Sequence, residues 1–136
     1  MKEKINIITQ LGVLVLIALF LNACGKSDDP KPAYPKDVSV EYKVSGMGVN
    51  QVTLLSYTNA TGGSTKLTDT IIPFSVSFNR TVNVGDDLGL SVLHNNSATG
   101  NPFNVRLEIY VDNKLVKTET YEGTSSIVGA IVHLFY

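Results

Sequence analysis

The sequence predicts an all-β sandwich, and three observations carry that prediction. From Asp37 onward apolar residues recur at every second position, and no segment holds a 3.6-residue period. Clusters of Gly, Asn and Asp separate these segments and supply turn chemistry. The chain has 136 residues, 43% of them hydrophobic, and a single cysteine. Its core must therefore form by apolar burial without an internal disulfide. About seven short antiparallel strands in about 100 residues match an immunoglobulin-like β-sandwich. The core tryptophan and inter-sheet disulfide of antibody domains are excluded, because Trp is absent and Cys24 stands alone.

Each strand can be justified in order. Val38, Val40, Tyr42 and Val44 alternate with polar residues in a first strand that ends at Gly46 and Gly48. A second strand covers Gln51–Thr58, with Thr53, Leu55 and Tyr57 expected on one face, and Asn59–Gly63 turns the chain. A third covers Ser64–Thr70 and is followed by Pro73, which marks a break or an edge. Phe74, Val76 and Phe78 alternate next, Gly85-Asp86-Asp87 makes a turn, and Leu88, Leu90 and Val92 share a face. Phe103, Val105, Leu107, Ile109 and Val111 lead to Asp112-Asn113, a two-residue turn because both residues tolerate positive φ. That hairpin is expected to place Ile109 opposite Val116, Glu108 opposite Lys117 and Arg106 opposite Glu119. Residues 127–136 are apolar at nearly every position, as in a covered central strand or a long closing strand. Phe74, Phe78, Phe103 and Tyr57 are the expected large core side chains.

The residues before this domain carry a different signal. Lys2 and Lys4 precede Leu11–Leu21, a run with no polar side chain. This is the layout of a secretory signal peptide. Eleven helical residues span roughly 16 Å, about half of a ~30 Å hydrocarbon core, so a membrane-spanning helix is disfavoured. Leu21-Asn22-Ala23-Cys24 resembles a bacterial lipobox. That resemblance implies cleavage after residue 23 and lipid attachment at Cys24. Multiple acyl chains would then anchor the mature chain, since one alone binds only marginally. Lys26, Ser27, Asp28 and Asp29 follow closely and resemble the export signal of surface lipoproteins in Bacteroidetes. In other diderm bacteria, acids after the cysteine govern sorting between the two membranes, which leaves a periplasm-facing alternative. The expected organisation is a signal peptide at 1–23, a lipidated cysteine and Pro-rich tether at 24–36, and the sandwich at 37–136.

Side chains suited to catalysis or metal binding are sparse. His94 and His133 are the two histidines, and no close pair of metal ligands occurs. Within the sandwich, Asp86-Asp87 is an adjacent carboxylate pair, at a turn where solvation is the ordinary role. Neither a Gly-x-Ser-x-Gly elbow nor a phosphate-binding loop is present. The expectation is a non-enzymatic domain with no cofactor and no metal. A hydrolase would instead require His94 to meet carboxylates in a cleft. The formal net charge of −1 argues against nucleic acid as a partner. The expected partners are a membrane, through the lipid, and a protein or glycan. Asp69-Thr70-Ile71 resembles a Bacteroidetes O-glycosylation acceptor, which would make Thr70 a modification site.

Several segments together resemble the extracytoplasmic domain of mycobacterial small membrane proteins, the MmpS family. They are Val40–Gly46, Ser56–Asn59 with Gly62-Gly63, Arg80–Val82 before Gly85-Asp86, Leu90–Val92 before Asn95-Asn96, and Ile109–Val116. The resemblance implies a small β-sandwich and, as an alternative function, an accessory subunit of a membrane exporter. That family anchors by a transmembrane helix and often carries a cysteine pair, neither of which is read here.

Overall fold

The computed structural model describes residues 33–95 and 100–136. The predicted leader, Cys24 and the export residues lie outside them. Among the described residues the fold is all-β and consists of eight strands. These are β1 (Lys36–Met47), β2 (Gln51–Thr58), β3 (Ser64–Ile71), β4 (Phe74–Val82), β5 (Asp87–Asn95), β6 (Phe103–Val111), β7 (Lys114–Gly123) and β8 (Ser126–Leu134). They form two four-stranded antiparallel sheets, ordered β4-β1-β6-β7 and β3-β2-β5-β8. The first strand begins at Lys36, one residue inside the expected tether.

Alternation builds the core. Val40, Tyr42 and Val44 of β1 are fully buried, and so are Val105, Leu107 and Ile109 of the adjoining β6. Leu55, Leu88 and Leu90 face them from the second sheet. The largest fully buried side chain is Tyr42, whereas Tyr57, Phe74 and Phe78 are only partly buried against the core. The Tyr42 ring lies 5.4 Å from that of Tyr57 and 5.9 Å from that of Phe78. Its hydroxyl donates to the Thr58 carbonyl at 2.9 Å, which links the two sheets.

Three details depart from simple alternation. In β2 the inward residues are Val52 and Leu55, so Thr53 does not share their face. The β2–β3 ladder lacks a Thr53–Asp69 pair, and Asp69 has φ 50°. Both strands change face together at that break. In the β6–β7 hairpin, Asp112 and Asn113 do form the turn with positive φ, at 50° and 62°. The expected register holds only for Val111–Lys114 and Tyr110–Leu115, after which a bulge between Ile109 and Tyr110 shifts it. Ile109 therefore pairs with Lys117, Glu108 with Thr118 and Arg106 with Thr120. The expected cross-strand charge pairs do not form. Arg106 instead reaches Glu108 on its own strand at 2.8 Å. Finally, β8 is a closing edge strand and not a covered central one: Ile127 and Ile131 point inward, while Val128 and Val132 are 77% and 50% exposed. An uninterrupted apolar run conceals which of its two faces is buried.

The up-and-down course of the strands gives the sandwich two poles. At the near pole lie the start of β1, the turns after β2, β4 and β6, and the C-terminus. Arg80, with a side chain only 9% exposed, binds there to the Asp86 carboxylate at 3.2 Å and the Asp87 carbonyl at 3.0 Å. Asp112 accepts from the Ser39 amide at 3.0 Å and from Lys36 at 3.1 Å, clipping the hairpin tip to β1. These contacts, the amide foremost, hold the Asp112 carboxyl below the usual range. Truncating a shielded ion pair leaves one charge uncompensated, whereas exposed pairs contribute little. Arg80→Ala should therefore lower unfolding stability by about 2–3 kcal/mol. Arg106→Ala should cost no more than about 0.5 kcal/mol, with urea titration as the measurement for both.

Candidate functional site

The far pole carries the connections after β1, β3, β5 and β7. An open hollow of about 630 Å³ lies there, lined by Met47, Gly48, Pro102, Phe103, Asn104 and Thr124, with Glu122 supplying a carboxylate. The lining comes from three separate stretches of chain, and local alternation explains how they meet. β1 and β6 pair out to Met47 and Asn104, and the Asn104 side-chain oxygen accepts from the Met47 amide at 3.3 Å. Gly48 has φ 74°, and a Cβ there would stand 2.9 Å from the Pro102 carbonyl. Glycine is thus what lets the first turn lie against the β6 approach. Met47 is 72% exposed and Phe103 is 4% exposed, so the lining combines a flexible exposed apolar side chain with a buried aromatic one. An apolar rim with one amide and one carboxylate is suited to holding a partner group. Among the described lining residues there is no His, Cys or Ser, and Glu122 is the one titratable group.

His94 is not brought near the carboxylate pair, whereas His133 pairs with Leu88, the neighbour of Asp87, and faces inward while Asp87 is exposed. His94 lies near the far end of β5 and Asp87 at its near end, roughly 23 Å apart at about 3.3 Å per residue. The His94 ring stands edge-on to Phe103 at 5.1 Å, and its buried Nδ1 has no hydrogen-bond partner. His133 stands in the same way against Phe135 at 5.0 Å. Burial lowers both imidazoles from their ordinary value, and no charged neighbour contributes. Asp86 is engaged by Arg80 and by the Asn83 amide at 3.0 Å. Among the described residues, no group of three or more His, Cys, Asp or Glu is placed to hold a metal ion.

Thr70 is located in β3 opposite Val52. Its hydroxyl oxygen is buried and has no hydrogen-bond partner, because the change of face at Asp69 turns it inward. A sugar would reach that oxygen only before folding or with the strand opened. Cys24, Lys26, Ser27, Asp28 and Asp29 belong to the segment outside the described residues. The far-pole hollow had no signature in the sequence, where Gly46-Met47-Gly48 reads simply as a turn. No family model matches the chain, and none of the curated proteins compared with it is similar to it.

Two measurements follow from these placements. Unfolded histidine takes a proton near pH 6.5, whereas folded His94 and His133 resist it. Unfolding stability should be full above about pH 6.5 and fall as the pH drops below it. Thermal unfolding from pH 8 to 5 should show this slope, and a His94→Gln/His133→Gln variant should flatten it. Separately, Thr70→Val keeps the shape of the side chain and removes an unsatisfied hydroxyl, so stability should rise by about 1 kcal/mol in urea titration.

Proposed function

We propose that this protein is a lipid-anchored, non-catalytic lipoprotein of the bacterial outer membrane, exposed at the cell surface. In this reading its β-sandwich presents a binding or scaffolding surface to a protein or glycan at the far pole. The observation that carries the reading is the apolar run Leu11–Leu21 ending in Leu21-Asn22-Ala23-Cys24. Support comes from the geometry of the domain, since β1 starts at the near pole and the hollow lies at the opposite one. A tether of about a dozen residues at about 3 Å each would let the domain stand up to roughly 35 Å from the lipid headgroups. The exporter partnership implied by the MmpS resemblance has no such geometric support.

Radiolabelled palmitate should enter the wild-type protein and not Cys24→Ala, and equal incorporation in both would overturn the reading. Replacing Lys26, Ser27, Asp28 and Asp29 together by alanine should preserve labelling. It should also remove the protein from the reach of protease added to intact cells.

A further inference from the structure

The far pole carries charge of one sign. Residues 46–52, 69–75, 94–104 and 121–127 make up its connections and the strand ends beside them. Of all Lys, Arg, Asp and Glu in the chain, these stretches hold Asp69 and Glu122 alone. Glu122 is the one that lines the hollow, and it is exposed. Among the described residues it has no ion-pair partner. On the first sheet the cation closest to it in register is Arg106, which pairs with Thr120. The Arg106 guanidinium is held at 2.8 Å by Glu108, two residues further from the hollow along β6. The carboxylate is thus left to an outside cation.

Its neighbours narrow the kind of cation. Met47 pairs with Asn104 and Asn104 with Glu122, so the three stand in one row across β1, β6 and β7. The Met47 side chain is exposed and, with Pro102, supplies an apolar wall beside the carboxylate. The Asn104 side-chain oxygen is taken by the Met47 amide, which leaves its amino group to donate to an incoming carbonyl. The one aromatic ring in the lining, Phe103, is buried, so no ring face is offered to a sugar or to a stacked guanidinium.

We propose that the far-pole hollow receives a lysine side chain presented by a partner protein. The ammonium meets the Glu122 carboxylate, and the methylene stem lies along Met47 and Pro102. A backbone carbonyl next to the lysine accepts from the Asn104 amino group. Lysine combines an apolar stem with a compact charged head, and the row offers one surface for each. The hollow, at about 630 Å³, falls within the range of roughly 300–1,000 Å³ occupied by ligand clefts. Opposite charge on the two partners also speeds their encounter. The inference rests on the reading of the far pole as a binding surface, and it narrows the occupant from a protein or glycan to a basic peptide.

Met47 supplies the probe for the test, because Met1 is the other methionine of the chain. Full-length protein labelled with carbon-13 at the methionine methyl groups is held in detergent micelles and followed by NMR, with Met47→Leu assigning the signal. The titrants are the blocked peptide acetyl-Gly-Ala-Lys-Ala-Gly-amide, the same peptide with norleucine in place of lysine, and maltohexaose. The lysine peptide should move the Met47 resonance saturably. Norleucine, which keeps the stem and loses the charge, should bind at least about threefold more weakly, and so should the lysine peptide to Glu122→Gln. An unmoved resonance with the lysine peptide overturns the proposal, as does equal binding of the norleucine peptide or equal binding by Glu122→Gln. Movement with maltohexaose alone also overturns it, while leaving the far pole a binding surface.

Discussion

Tyr42 sets the spacing of the sandwich. Its side chain is fully buried, and its hydroxyl crosses from the first sheet to the Thr58 carbonyl of the second. Burial pushes the phenol's ionisation far above its ordinary value, with the Arg80 charge acting in the opposite direction. The hydroxyl therefore stays protonated and must donate, because a buried donor without an acceptor is costly. That requirement fixes β1 against the end of β2. Thr58 extends the link, since its own hydroxyl accepts from the Gly89 amide of β5 at 2.9 Å. In immunoglobulin domains a disulfide and a tryptophan bind the two sheets. Here a tyrosine ring between Tyr57 and Phe78, with one hydrogen bond, occupies that place.

The same economy explains why the poles differ. At the near pole Arg80, Asp86 and Asp112 draw together the turns and the start of β1, and the C-terminus joins them. The Gly85 amide donates to the Phe135 carbonyl at 2.8 Å, and the Phe135 amide to the Asp86 carbonyl at 3.0 Å. At the far pole, among the described residues, Met47 is tied to Asn104, Asn95 to Thr53 at 3.1 Å, Ile72 to Asn50 at 3.0 Å, and Gln51 to the Asp69 carbonyl at 2.9 Å. The near pole is thus held by charged side chains and the far pole by neutral amides and hydroxyls.

Strand order along the chain was legible because period-two alternation and turn residues report local backbone directly. β2 and the Asp112-Asn113 turn lie where the pattern places them. What could not be read was any event that keeps the composition and changes the pairing. The bulge between Ile109 and Tyr110 leaves every residue of the hairpin a plausible strand residue while moving Glu108 and Arg106 away from Lys117 and Glu119. The joint change of face at Thr53 and Asp69 is silent for the same reason, and it is what buries the Thr70 hydroxyl. The hollow was out of reach because Met47, Pro102 and Thr124 meet only through long-range pairing. The proposed anchor is the reverse case: Leu11–Leu21 and Leu21-Asn22-Ala23-Cys24 are wholly local in sequence and draw nothing from the fold.

The apolar residues of β8 separate two demands that the sequence superimposes. Ile127, Ile131 and Phe135 satisfy the core, and Gly129 makes room for the Tyr121 ring. Val128, Val132 and Leu134 remain exposed on the outer face of the sheet. The outward amide and carbonyl of Ala130 are met by the Tyr121 hydroxyl of β7, so one side chain ties the last strand of the second sheet to the last strand of the first.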